Sequence, residues 1–376
     1  MRITFVLFHY FPYGGLERDM LAVARVCQAR GHEITIYTQK WQGEKPADMP
    51  VVELPVRAFT NHGRSTAFVA RFREVIKALP ASVVVGFNKM PGLDLYYAAD
   101  VCFAQKAFAE RNFVYRLTPR SRQYLALEKA VFEPDSKTEV LMISSDQIGF
   151  FQRYYKTPSA RLHLLPPGIR RERVLPPDYE RQRSQWRAQY QLGANDLLMM
   201  FVGSDYGRKG LDRALRGLAV LSEPLRQRVR LWIAGQDNEK PFLNLIRTLN
   251  IADQVRFLGA RDDVAQLLWS ADVLIHPAYS ENTGTVLLEG MVAGLPVIAS
   301  RACGYSHYIA EQNMGCVLDG PITPTDVADA IATVFSHSGD IWRERGRAFA
   351  ANADIFSMPE HFADAIERVA QRAGTS

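Results

Sequence analysis

Cysteine is scarce in this chain. Its four cysteines (Cys27, Cys102, Cys303, Cys316) lie far apart, with no Cys-x-x-Cys pair and no histidines at metal-ligand spacing. That pattern excludes a disulfide-stapled secreted module and a zinc ribbon, and predicts reduced, mostly buried thiols in a cytosolic protein. No apolar run approaches the roughly 20 residues that span a bilayer. The opening Met1-Arg-Ile-Thr-Phe-Val-Leu-Phe8 meets Pro12 and two glycines within fifteen residues, too short an apolar core for a signal peptide and without a small-residue cleavage site. A soluble or peripheral chain is expected. Dense basic tracts are also missing: 45 Lys and Arg against 40 Asp and Glu leave +5, with a pI near 9.0. Such a balance suits an anionic ligand or a membrane surface and argues against nucleic acid as partner. There is no repeat of solenoid length and no low-complexity tract.

What is present alternates. Short apolar or β-branched runs at Ile3–Phe8, Glu33–Thr38, Val51–Val56, Ser82–Phe87 and Glu139–Ser144 are separated by helical patterns such as Leu16–Arg30, stopped by Gly31. Leu162-His-Leu-Leu-Pro-Pro-Gly168 reads as a strand with a stiffened exit and marks the best domain boundary. The second half repeats the theme at Leu197–Gly203, Arg230–Gly235, Val255–Gly259, Val273–His276 and Pro296–Ser300. A chain of 376 residues exceeds one ordinary core. The expected fold class is therefore α/β, with two doubly wound Rossmann-like domains, 1–168 and 169–354, facing across a cleft. The helical spacing of Met358–Arg372 predicts a C-terminal helix, about 355–376, that packs back on the first domain.

The densest chemistry lies in Glu281-Asn-Thr-Gly-Thr-Val-Leu-Leu-Glu289. Glu281 falls in a polar turn after the buried run Asp272–Ala278, and Gly284 opens a helical pattern through Ala293, so Glu289 lies on the second helical turn. Backbone N–H groups and the macrodipole at that helix start favour a phosphate, whereas a carboxylate accepts hydrogen bonds from sugar hydroxyls. The pairing implies a ligand that is part phosphate and part polyol. Gly203-Ser-Asp-Tyr-Gly-Arg208-Lys209-Gly210 follows the first strand of the second half. Taken alone, its two cations also fit a solvated turn; beside the Glu pair they fit a diphosphate, each contact contributing roughly 1.5 to 3 kcal/mol. Tyr13-Gly14-Gly15-Leu16-Glu17-Arg18-Asp19 joins the first strand to the first helix, where glycines permit close approach of a ligand. It lacks Gly-x-Gly-x-x-Gly spacing, which argues against NAD. Asp19, one turn beyond Gly15, either points into the cleft or is solvated.

With Gly14-Gly15, Gly-Arg208-Lys209-Gly and Glu281 seven residues before Glu289 in place, the chain resembles the retaining nucleotide-sugar glycosyltransferases of family four, which have the GT-B fold. Tyr10-Phe-Pro-Tyr-Gly-Gly-Leu, Asn61-His-Gly-Arg64, Gly86-Phe-Asn-Lys-Met-Pro-Gly-Leu-Asp94, Ala98-Ala-Asp-Val-Cys102 and Cys303-Gly-Tyr-Ser-His-Tyr308 narrow the resemblance to the lipopolysaccharide-core glucosyltransferases of Gram-negative bacteria. It spans nearly the whole chain. The resemblance implies a UDP-sugar donor in the second domain and a lipid-anchored core oligosaccharide acceptor, bearing heptose, on the first. It implies that Arg208 and Lys209 hold the donor diphosphate, that Glu289 bonds the ribose, and that Glu281, Asn282, Thr283 and Gly284 hold the sugar. Thr285 and Val286 would offer N–H groups to phosphate, with Gly15, Arg173 and Arg261 bordering the donor. Asn282 and Thr283 vary among such enzymes, so glucose, galactose and an N-acetylated hexose all stay open.

Asp100 follows an apolar run where relatives often carry histidine. It either orients the acceptor hydroxyl or caps the next segment; Asp100, Glu281 and Asp19 are the candidate catalytic residues. The resemblance further implies that the departing phosphate takes the acceptor proton, so that no cofactor or metal is needed. Finally, 103–132 carries Lys106, Arg111, Arg116, Arg120, Arg122 and Lys129 against Glu110 and Glu128, interleaved with Phe108, Phe113, Tyr115 and Tyr124. Its two readings are a contact with the anionic cytoplasmic face of the inner membrane and a solvated basic helix with its aromatics packed inward. Other membrane glycolipid acceptors, and a protein that binds nucleotide sugar without turning it over, are the alternatives to a core transferase.

Overall fold

The computed structural model describes residues 1–12, 14–78, 80 and 82–374; Tyr13 of the glycine loop and the last two residues of the expected C-terminal helix lie outside the described residues. Two compact units emerge, Met1–Gly168 with Ser357–Ser376, and Ile169–Phe356.

The first unit holds a parallel sheet of seven strands: β1 Arg2–Tyr10, β2 Glu33–Trp41, β3 Val51–Glu53, β4 Val83–Gly86, β5 Leu95–Ala98, β6 Glu139–Met142 and β7 Leu162–Leu164, in the order β3-β2-β1-β4-β5-β6-β7. β3 stops at Glu53, short of the expected Val56, because Pro55 has no N–H to continue the ladder. β5 is the strand implied by the apolar run before Asp100. Helix Gly15–Ala29 covers one face, its end marked by Gly31 at φ 82°. The C-terminal helix Met358–Gly374 lies beside it: Phe362 is buried against Phe87 and Tyr97, with ring centroids 5.8 and 5.4 Å apart. Arg30 Nη1 to Asp364 at 2.7 Å and His32 Nε2 to Glu367 at 2.9 Å pin its outer edge.

The second unit has six parallel strands: β8 Leu197–Val202, β9 Val229–Ala234, β10 Val255–Gly259, β11 Val273–His276, β12 Val297–Ser300 and β13 Gly315–Leu318, ordered β10-β9-β8-β11-β12-β13. Strand order reverses between β8 and β11, and the carboxyl edge at such a switch point is the place where doubly wound sheets bind ligands. β11 is wholly buried, as a strand covered on both faces must be. β13 escapes sequence reading because four residues opening on glycine carry too little pattern to separate strand from loop. Among the described residues, no helix is long and apolar enough to cross a membrane.

Candidate active site

The switch point beside β8 is built by two loops held edge to edge. In the exit of β8, Gly210 has φ 78°, and a Cβ there would lie 2.1 Å from the Pro277 carbonyl oxygen, so only glycine lets this loop meet the exit of β11. The seam is closed by Tyr279 N–H donating to Arg208 O at 2.8 Å, and by Arg213 donating to the Pro277 and Ala278 carbonyls at 3.0 Å.

Across that seam the predicted charges converge. Lys209 Nζ lies 2.6 Å and Arg208 Nη1 3.2 Å from the same oxygen of Glu281, Oε2. Arg208 also donates to Ser280 O at 2.7 Å and to Asp205 at 2.6 Å. Behind them sits His276, fully buried, with Nε2 3.6 Å from Glu281 Oε2. Burial opposes ionisation of Glu281, but His276, Lys209 and Arg208 together outweigh it and hold its carboxyl far below the usual carboxylate range. The sequence assigns the cations and Glu281 to different parts of a ligand; the structure joins them in one ion cluster, so any anion drawn to either cation must compete with Glu281.

Helix Thr285–Val292 begins directly after, entered through Gly284 at φ 79°, a left-handed conformation that suits glycine. Thr285 and Val286 are its first residues, whose N–H groups precede any intrahelical acceptor. The approach to the helix is fixed from the side by the segment quoted above at Cys303: Glu281 N donates to Ala302 O at 3.2 Å and Tyr305 N to Thr283 O at 2.8 Å. Glu289 is buried and lies 3.5 Å from Arg173 Nε, itself buried, so the residue expected to bond the ribose is paired with one of those expected to border the donor. Arg261 is placed differently. It engages Asp263 and the Tyr190 hydroxyl at the exit of β10, the edge strand two positions from β8, and no described contact joins it to the Arg208 cluster.

In the first unit the loop at Gly14 leads to a cluster of acids. Asp19 accepts the Tyr97 hydroxyl at 2.9 Å and lies 3.5 Å from Arg18 Nε; Asp100 is exposed just past β5. Glu17, which no sequence motif marks as a site residue, is buried beside them. Burial pushes its carboxyl up to about 7, its own backbone N–H opposing, with Asp19 and Asp100 adding to the rise. An acid whose native pKa exceeds its unfolded value of 4.5 stabilises the fold below pH 4.5, and that contribution is lost as pH rises through about 7. Glu17→Gln should therefore gain stability relative to wild type between pH 4.5 and pH 8, by about 2 kcal/mol after allowance for solvent. Thermal unfolding at the two pH values checks this, and an offset independent of pH contradicts it.

The basic segment divides into Phe103–Gln105, a π-helical turn Lys106–Glu110, Phe113–Leu117 and Pro119–Phe132. Lys106, Arg111, Arg120, Arg122 and Lys129 are exposed, while Arg116 is half-buried, 5.2 Å from the ring centroids of both Phe108 and Phe113. Glu128 was counted as a surface charge; it is fully buried, accepting Phe103 N at 2.7 Å, Ala104 N at 2.8 Å and Lys89 Nζ at 2.5 Å. The solvent face is correspondingly more positive. Nor do the aromatics all pack inward: Phe113 is 63% and Phe108 47% exposed, beside Val114 and Leu117. Arg122, Lys129 and Arg153 line a groove of about 910 Å³ together with Phe108, Leu125 and Tyr154.

All four cysteines are free, and burial pushes the Cys27 and Cys102 thiols up to about 12 and Cys303 to about 11, which leaves them unreactive. Among the described residues, no three His, Cys, Asp or Glu side chains are grouped to hold a metal ion.

Residues 182–363 match the family model described as "Glycosyl transferases group 1", and residues 13–173 match "Glycosyltransferase Family 4". The chain is 42% identical to the lipopolysaccharide glucosyltransferase WaaG of Escherichia coli K12, over 97% of this chain and 98% of that protein. A crystal structure of WaaG, described as a glycosyltransferase involved in lipopolysaccharide biosynthesis, superposes with a TM-score of 0.93 at 42% identity, covering 97% of this chain and 99% of the other. Anabaena Alr3699/HepE in complex with UDP-glucose superposes with a TM-score of 0.75 at 18% identity, over 98% of this chain and all of that one, a likeness of fold.

Proposed function

Because the chain belongs to the Glycosyltransferase Family 4 enzymes and has their GT-B fold of two Rossmann-like domains, we propose that it transfers glucose from UDP-glucose, with retention, onto a heptose of the lipopolysaccharide inner core. The observation that carries this reading is the convergence of Arg208 and Lys209 on Glu281 beside the helix that opens at Gly284. A diphosphate takes the two cations and the helix N–H groups. Glu281, released from both, turns its ionised carboxylate to the hexose hydroxyls.

As the glycosidic bond to UDP breaks, negative charge grows on the leaving phosphate, and donors already aimed at that position stabilise it without reorganisation. In this proposal Arg208 and Lys209 supply that charge stabilisation, with no metal or cofactor, and the phosphate oxygen accepts the acceptor proton. Asp100, supported by Asp19, orients the acceptor hydroxyl. The test is incubation of purified protein with UDP-glucose, UDP-galactose or UDP-N-acetylgalactosamine and truncated core acceptor, read by mass spectrometry. One hexose added from UDP-glucose is expected. No product with any core acceptor, or UDP release that ignores acceptor, overturns the reading.

The same proposal has the enzyme working as a peripheral protein on the cytoplasmic face of the inner membrane, attached through 103–132. At about 1 kcal/mol per basic residue near an anionic leaflet, the five exposed cations suffice for reversible attachment, and the exposed Phe108 and Phe113 add apolar contact. Sedimentation with anionic vesicles should succeed at low salt, fall at high salt, and fall again when Arg120, Arg122 and Lys129 are replaced by alanine. Equal binding to neutral vesicles removes the proposal.

A further inference from the structure

We propose that His276 is a positioning residue for Glu281: it holds the carboxylate toward the donor sugar once the diphosphate has drawn Arg208 and Lys209 away. This rests on the role given to Glu281 above. His276 is the last residue of β11, at the point where strand order reverses, and it is fully buried. Its ring lies over Phe201, centroids 6.0 Å apart and planes within 19°, and its carbonyl accepts Ala278 N at 2.9 Å, so neither ring nor backbone is free to turn away.

Neither ring nitrogen meets a hydrogen-bond partner among the described residues, and the nearest acidic atom to Nε2 is Glu281 Oε2 at 3.6 Å, just beyond bonding range. Buried polar atoms in native proteins are nearly always satisfied, so an imidazole aimed at a carboxylate from this distance calls for a reason. The reason is next to it. Lys209 at 2.6 Å and Arg208 at 3.2 Å draw on the same oxygen. When phosphate oxygens compete for those cations, the His276 N–H becomes the donor left on Oε2, and a shift of a few tenths of an ångström closes the bond. Oε1 is then oriented for the sugar. Burial keeps the imidazole neutral, which supplies a directional N–H in place of a mobile cation.

Two substitutions separate this role from simple core filling. His276→Leu keeps the volume and removes the donor; His276→Gln keeps an N–H donor. The expected result is a fall in kcat of about ten- to a hundredfold for His276→Leu, UDP affinity within about twofold of wild type, and recovery of a large part of kcat in His276→Gln. Turnover within twofold of wild type in His276→Leu overturns the proposal, as does equal impairment of the two variants or a parallel loss of UDP affinity in folded protein. Should His276→Leu fail to fold, His276→Gln decides through ligand preference: its advantage for UDP-glucose over UDP must shrink only slightly, and complete loss of that advantage contradicts a rescue by the amide. Full turnover in Glu281→Gln would remove the parent reading, whereas an inactive Glu281→Gln beside a fully active His276→Leu removes this inference alone.

Discussion

Lys209→Ala will weaken UDP binding by roughly 10- to 150-fold, the equivalent of one charge-assisted contact worth about 1.5 to 3 kcal/mol. Arg208→Ala will do less. The difference follows from exposure: the Lys209 side chain is 16% accessible and the Arg208 side chain 41%, so water screens the arginine more and replaces it more readily. Asp205 also holds part of the Arg208 guanidinium at 2.6 Å, an interaction that any phosphate must outbid. Because the two cations share one acceptor oxygen, their effects will not add, and the double variant should fall short of the sum of the single losses. Calorimetric titration of UDP into the three variants measures all of this. A Lys209→Ala protein with wild-type affinity contradicts the assignment of the diphosphate to this loop.

Glu281→Gln will abolish transfer, with kcat down by about a thousandfold or more, because the ionised carboxylate that accepts from the hexose hydroxyls and holds the sugar in position for transfer is replaced by a neutral amide. It will also destabilise the second unit. Lys209 keeps no anionic partner there, and breaking a mostly buried pair from one side costs about 2 to 4 kcal/mol. Saturating UDP should restore much of the lost thermal stability, since phosphate supplies the missing counter-charge. A variant that is both fully active and as stable as wild type would show the pairing to be incidental.

Much of this site was legible before any coordinates, and the reasons are specific. Glycines at 210 and 284 punctuate strand-to-helix turns, so the loops bearing Arg208, Lys209 and Glu281 could be placed at one sheet edge from spacing alone. The pairing of those three side chains could not, because it depends on the seam between the exits of β8 and β11, a contact across 72 residues of chain. Glu128 was misjudged for the same kind of reason: on a helix rich in exposed cations a glutamate looks solvated, and only the packing of Phe103–Gln105 beneath it reveals the buried acceptor. His276 carried a usable signal, a polar residue ending an otherwise apolar strand directly before Pro277. Glu17 carried none beyond its place after two glycines, since its burial arises from tertiary packing that no local pattern records. Arg261, expected to border the donor, is held by Asp263 two positions on, a local pairing that residue spacing does not reveal.

If a diphosphate and Glu281 compete for the same two cations, titration of UDP and UDP-glucose into wild type and Glu281→Gln will reveal it. The variant is expected to bind UDP at least as tightly as wild type, its cations being released, while losing whatever additional affinity the glucose moiety confers. A tenfold or greater loss of UDP affinity in folded Glu281→Gln would contradict it.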